Sequence, residues 1–220
     1  MRIAIIGAGN VGGTLGRRWA EKGHDVSFGL RNPERGASAV KGGSGPLPAK
    51  AKVVAPDVAV KDADVVVLAT PFGAVADALR EVGVDKGALD GKPLLDTTNP
   101  LKAGMQFDEG PNGESAAERL QAIAPNARVV KAFNTTGAEN MGDTAFKGGK
   151  AAMFYAGDDA DARRIAHDLA AELGFEPVDA GALIRARELE RVAMLWISLA
   201  FGVSGVPAIG RDFAFGIVRR

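Results

Sequence analysis

Cysteine is absent from this chain of 220 residues, which excludes disulfides, thiolate metal sites and cysteine nucleophiles. Proton-exchanging side chains are scarce too, with two histidines and one tyrosine. His24 falls in a turn before the second apolar strand, on the edge away from the strand ends that carry ligands, and His167 sits on a late, solvated helix. Neither reads as a general base. An excess of either charge is also missing: 27 basic residues face 27 acidic ones, so no affinity for nucleic acid or an anionic membrane surface is implied. No apolar run approaches the roughly 20 residues of a membrane span, and no N-terminal targeting segment is recognisable. A soluble, cytoplasmic protein is the expectation.

Known catalytic signatures are lacking as well. Tyr155 is followed four residues on by Asp159, so no Tyr-x-x-x-Lys pair exists. There is no Gly-x-Ser-x-Gly elbow, no phosphate loop of the Walker type and no cluster with metal-ligand spacing.

What is present begins at once. Arg2-Ile-Ala-Ile-Ile6 is an apolar strand that breaks into Gly7-Ala8-Gly9-Asn10-Val11-Gly12, and a helical stretch follows from Val11 to Lys22. Gly7 permits the tight turn, Gly9 lets the backbone approach a pyrophosphate, and Gly12 lets the helix pack closely on the strand. The phosphates would sit at the positive N-terminus of that helix. The motif is weak alone, but a buried-type strand before it and a helix after it are its confirming context. The second strand, Asp25 to Arg31, ends in Leu30, Arg31 and Asn32, with no acid before Glu34. NAD-preferring enzymes usually carry an acid here for the ribose 2′-hydroxyl. An arginine in its place suits a 2′-phosphate, which the planar guanidinium can grip bidentately, so NADP(H) is favoured over NAD(H).

The remaining pattern alternates. Residues 33–50 read as a mobile loop; strands are expected at Lys52–Ala55, Asp64–Ala69, Lys92–Asp96, Arg128–Phe133, Ala151–Ala156 and Phe175–Val178. Helices are expected at Gly73–Val82, Ser115–Ile123, Ala160–Leu173 and from Leu183, the last broken near Gly202–Pro207. This predicts an α/β fold of Rossmann type, a doubly wound and mostly parallel sheet over residues 1–180, with a C-terminal helical extension over 181–220. It places the glycine loop, Arg31, Thr70-Pro71, Asn99-Pro100 and Asn134-Thr135 just past strand ends, where such sheets bind ligands.

Asn99 and Asn134 are the best polar candidates there, as amides able to orient a nicotinamide, though asparagines also serve ordinary turns. In the C-terminal helix Leu189, Val192, Leu195, Trp196 and Leu199 recur at helical spacing. Core packing or a subunit interface accounts for most of them, with Met194 and Trp196 left as a wall for an aromatic ligand. With no evident protein acid or base, the residues suit hydride exchange between two stacked rings, where the cofactors carry the chemistry.

Together these residues resemble the coenzyme F(420):NADP oxidoreductases. The matching stretches are Gly7–Gly13, Leu68–Pro71, Asp96–Leu101, Val130–Thr135, Gly174–Ala180, Ala193–Ile197 and Arg211–Phe215, spread over nearly the whole chain. The sequence is also similar to the cytosolic reductase part of membrane ferric reductases, which passes NADPH hydride to a flavin. The resemblance implies NADP(H) on the glycine loop, with Arg31 and Asn32 at the 2′-phosphate and Thr70 and Pro71 along the adenosine side. It implies Asn99, Pro100, Ala132, Phe133 and Asn134 around the nicotinamide. The deazaflavin coenzyme F(420) would be the co-substrate stacked above, held by Asn134, Met194 and Trp196, in a homodimer. A small-molecule redox acceptor is thus the expected partner, with no catalytic side chain and no metal. A flavin, quinone or other small acceptor, and a non-catalytic NADP(H)-binding module, stand as alternatives.

Overall fold

The structure, a computed structural model, describes residues 1–220, the side chain of Ser204 excepted. Strand β1 (Arg2–Ile6) is followed by α1 (Asn10–Glu21), β2 (Asp25–Gly29), β3 (Ala51–Val54), α2 (Pro56–Lys61), β4 (Val65–Leu68), α3 (Val75–Val82) and β5 (Pro93–Asp96). The second half holds α4 (Ala116–Ile123), β6 (Arg128–Ala132), α5 (Ala138–Gly142), β7 (Ala152–Gly157), α6 (Ala160–Glu172), β8 (Glu176–Asp179) and α7 (Ala186–Phe201). The strands form one sheet in the order β3-β2-β1-β4-β5-β6-β7-β8. All neighbours run parallel except β6 and β7. The expected doubly wound, mostly parallel α/β architecture is what forms.

Its cause is visible in the strands. Successive side chains of a strand point to opposite faces. Ile3, Ile5, Val65, Val67, Leu95 and Val130 feed the apolar cluster under α1 and α6, which contains Trp19, Phe28 and Leu169. Ala4, Ile6, Val66, Leu68, Leu94 and Val129 feed the opposite cluster, with Leu79, Leu120 and Leu183. Strands sandwiched this way are near-continuous apolar runs, as in β4, a run of valine and leucine with every residue buried. Registry then aligns the strand ends. Ile6 lies opposite Gly29 and Leu68, Leu68 opposite Asp96, and Asp96 opposite Lys131. The loops that follow β1, β2, β4, β5 and β6 therefore open on one edge.

Several local expectations are corrected. β2 ends at Gly29, so Arg31 stands two residues beyond the strand. α2 and α5, of six and five residues, show no periodic face in the sequence because neither completes two turns. Residues 33–50 are not a free loop. A 3₁₀ segment spans Pro33–Ala39, and Arg17 of α1, only 7% exposed, donates to the carbonyls of Val40, Lys41, Gly45 and Pro46. A buried guanidinium with its donors engaged by backbone fastens that segment to α1. The expected break near Gly202–Pro207 does form: α7 ends at Phe201, Gly202 adopts the left-handed conformation that ends a helix without a Cβ penalty, and a single 3₁₀ turn, Val203–Gly205, follows. Beyond it the chain folds back, and Phe215 accepts a bond from the Ala152 amide of β7.

Candidate functional site

The site starts at the switch in strand order, between β1 and β4. Gly7 has φ +101°, and a Cβ there would come within 2.6 Å of the Ala69 carbonyl oxygen. At Gly12 a Cβ would meet the Gly7 carbonyl oxygen at 2.0 Å, so α1 can approach β1 only because this residue has no side chain. Gly9 has nothing within 4 Å of its Cβ position, leaving its backbone open to a ligand. It is also the N-cap of α1; no side chain caps the helix, and no acid occupies its first turn. The first amides of a helix lack intrahelical partners, so this end is a ready anion site.

A cleft of about 360 Å³ continues from the glycine loop, and Gly7, Ala8, Gly9, Arg31, Asn32, Thr70 and Pro71 all line it. Seven of the sequence-selected residues thus come together. Asn10 and Val11 lie just beyond, at the start of α1. The hydroxyl oxygen of Thr70 is buried without a hydrogen-bond partner, the condition of a group that a ligand would satisfy. Arg31 is held by Glu81 at 2.5 Å and approaches Asp77 at 4.0 Å, both from α3. Arg35 and Lys41 add positive charge to the same cleft. These four residues were not singled out in the sequence. Lys41 is placed by its amide, which donates to Ala8, and by the Arg17 clamp.

The second half of the site lies past β5 and β6, two and three strand spacings, or about 10 and 14 Å, from β1. Asn99 donates to the Asn134 carbonyl at 3.0 Å, and Asn134 donates to Asn99 Oδ1 at 3.1 Å and to the Leu189 carbonyl of α7 at 3.2 Å. Asn134 Oδ1 and the neighbouring Thr135 hydroxyl are buried with no partner. Pro100 sits in the same loop, followed by Leu101, which, like Met194, packs against the buried cluster of Trp196, Ile197 and Ala200. The two asparagines, both expected to orient a nicotinamide, are thus bonded to one another and, through Asn134, to the C-terminal helix.

Beneath these loops is an ion cluster that the sequence did not disclose. Lys131 Nζ binds Asp96 Oδ2 at 2.6 Å, Glu190 Oε1 at 2.8 Å and the Thr98 carbonyl at 2.7 Å. All three charged side chains are 0–1% exposed. Burial alone would lower the lysine pKa, but Asp96 and Glu190 outweigh it and hold the ammonium above its ordinary value. Asp96 also accepts from the Thr98 amide, and Glu190 from the amides of Ala116 and Ala117 at the start of α4. One buried lysine therefore ties both strand-end loops to α4 and α7. The only hint was a lysine inside the apolar strand Arg128–Ala132.

Two expected contacts take a different form. Ala132 and Phe133 are fully buried, and Phe133 packs edge-on against Trp19 at 5.4 Å. They can offer a ligand backbone only. Phe133 has φ +56°, an uncommon value for a bulky residue, which turns the chain sharply out of β6 toward Asn134. Trp196 does not form an open wall. Its indole stacks on Phe213 at 5.4 Å, donates to the Phe213 carbonyl at 2.9 Å and lies against Gly137. Met194 is partly buried beside it. His24 lies at the opposite edge, bonded to Glu172. Among the described residues, no helix is long and apolar enough to cross a membrane.

Comparison with known proteins agrees with this geometry. Residues 2–100 match the family described as NADP oxidoreductase coenzyme F(420)-dependent. A solved structure from Arthrobacter sp. FB24, described as a candidate F(420)-dependent NADP-reductase, shares 32% identity with a TM-score of 0.82, covering 100% of both chains. A hypothetical protein of Sinorhizobium meliloti shares 29% identity, with a TM-score of 0.68 over 97% of this chain and 95% of that one. Metalloreductase STEAP3 of Rattus norvegicus is 30% identical over 194 residues, which are 88% of this chain and 36% of that protein. The chain thus spans little more than a third of that relative's length. With its glycine loop, basic cleft and full-length likeness to a reductase of the same kind, this chain belongs to the coenzyme F(420)-dependent family of NADP oxidoreductases.

Proposed function

We propose that the protein moves a hydride directly between NADP(H) and a deazaflavin, coenzyme F(420), without a covalent intermediate. The observation that carries this is the chemistry of the nicotinamide end. Its polar groups are the amides of Asn99 and Asn134 and the hydroxyl of Thr135, which orient a ring but do not exchange protons at neutral pH. The ionisable side chains beneath them, Lys131, Asp96 and Glu190, are engaged with one another, and the ammonium also donates to the Thr98 carbonyl. Reduction of a carbonyl normally needs a positioned proton donor, whereas transfer between two rings mainly needs them stacked at the right distance.

The cleft fits a dinucleotide phosphate. The uncapped start of α1 and the open Gly9 suit the pyrophosphate, Arg31 with Asn32 the 2′-phosphate, and the unpartnered Thr70 hydroxyl the adenosine side. Asn134 Oδ1, also unpartnered, is free to accept from a carboxamide or from the acceptor ring. When bound, NADP(H) supplies the hydride; the protein binds, orients and excludes water. We assign residues 1–180 to the nucleotide-binding unit and 181–220 to a segment that closes the acceptor side or forms a homodimer contact. Met194 would border the acceptor there, and Trp196 would do so only where Phe213 yields its stacking position.

A second reading, favoured by the likeness to a metalloreductase, keeps NADPH and makes a flavin or another small species the acceptor. The purified protein is mixed with NADPH and oxidised coenzyme F(420), and the deazaflavin absorbance is followed, with NADH and FMN as controls. Bleaching with NADPH supports the first reading. Reduction of FMN without loss of the deazaflavin band replaces it with the second.

A further inference from the structure

The sequence offers no acid at the end of β2 to meet a ribose 2′-hydroxyl, but the fold supplies one from elsewhere. Glu81, in the last turn of α3, lines the cleft and accepts from Arg31 Nε at 2.5 Å. Asp77, one turn earlier, stands 4.0 Å from Arg31 Nη2. The two carboxylates face the Nε–Nη2 edge of the guanidinium, one of the edges through which it grips a phosphate bidentately. Arg80 pairs with Asp77 along the same helix, so Glu81 is the carboxylate left to Arg31 alone.

We infer that Glu81 sets the cofactor selectivity of this site. It neutralises Arg31 while no 2′-phosphate is bound, releases the guanidinium to NADPH, and accepts a hydrogen bond from the 2′-hydroxyl of NADH. The inference rests on the reading of this cleft as the adenosine-ribose site. Arg31 and Glu81 are 56% and 36% exposed, and an ion pair so solvated contributes little stability, so a phosphate dianion can displace it. The same carboxylate repels that dianion, while to a hydroxyl it is a strong acceptor. The protein therefore discriminates between NADPH and NADH less sharply than Arg31, Arg35 and Lys41 alone would.

Dissociation constants for NADPH and NADH, measured by calorimetry on the wild type, Glu81→Gln and Arg31→Gln, test this. In Glu81→Gln, NADPH should bind more tightly and NADH more weakly, shifting the ratio about five- to tenfold toward NADPH. In Arg31→Gln, NADPH alone should weaken. If Arg31→Gln behaves so while Glu81→Gln leaves the ratio unchanged or lowers it, the role of Glu81 is overturned and the cleft reading stands. If Arg31→Gln leaves NADPH affinity untouched, the cofactor reading itself fails and takes this inference with it.

Discussion

Replacing Lys131 by methionine keeps most of the side-chain volume and removes one buried charge. Asp96 and Glu190, each about 1% exposed, would then lie buried with no counter-ion, and the Thr98 carbonyl would lose its donor. Removing one partner of a buried pair costs about 3–5 kcal/mol, chiefly for the charge left uncompensated. Glu190 keeps the Ala116 and Ala117 amides and Asp96 keeps the Thr98 amide, so the lower half of that range, about 3–4 kcal/mol, is expected. Against a total stability of about 5–15 kcal/mol, such a loss is readily measured by urea unfolding as a lower midpoint at unchanged slope. The triple variant Lys131→Met, Asp96→Asn, Glu190→Gln should recover much of the loss, because no net charge remains buried. The pH dependence has a definite sign. The folded state raises the lysine pKa, so the cluster's contribution is complete below the ordinary lysine value and fades as pH rises through the folded one. The single variant should lack that alkaline decline. A loss under about 1 kcal/mol, or a triple variant no better than the single one, would refute the account of the cluster.

Gly12→Ala and Gly9→Ala should separate folding from binding. The first places a Cβ 2.0 Å from the Gly7 carbonyl oxygen and should cost about 2 kcal/mol or more in thermal unfolding, while the second meets nothing within 4 Å and should weaken NADPH binding with little change in melting temperature. Glu118 is pushed up by burial, but the Arg187 guanidinium and the Ser115 hydroxyl and amide outweigh this and hold it at about 2, below its usual 4.5. Its contribution is therefore complete above pH 4.5 and lost as pH falls toward 2, and Glu118→Gln should flatten the acid limb of a stability–pH profile at a neutral-pH cost of about 1–3 kcal/mol. Asn134→Ala removes donors to Asn99 and Leu189 and should lower stability by about 1–3 kcal/mol in urea. It should also slow hydride transfer in single-turnover experiments more than it weakens NADPH binding.

The sequence by itself determined the elements that local chemistry dictates. Apolar runs such as Val65–Leu68 read as strands buried on both faces, and Gly7 and Gly12 occupy positions where a Cβ would obstruct a turn or a helix. Strand alternation placed Arg31, Thr70, Asn99 and Asn134 on one edge because parallel strands end on the same side. α2 and α5 escaped because elements of six and five residues are held by their surroundings more than by periodicity. What only the tertiary structure decided are pairings between residues far apart in the chain. Arg31 meets Glu81 50 positions away, Lys131 meets Glu190 59 positions away, and Arg17 captures carbonyls 23 to 29 positions away. Trp196 likewise finds Phe213 once the chain turns back at Gly202. Hydrogen bonds and ion pairs act over about 3 Å in space and leave no periodic trace in the sequence, so the partners of a buried lysine or a cleft arginine emerge only when the strands and helices that carry them are packed together.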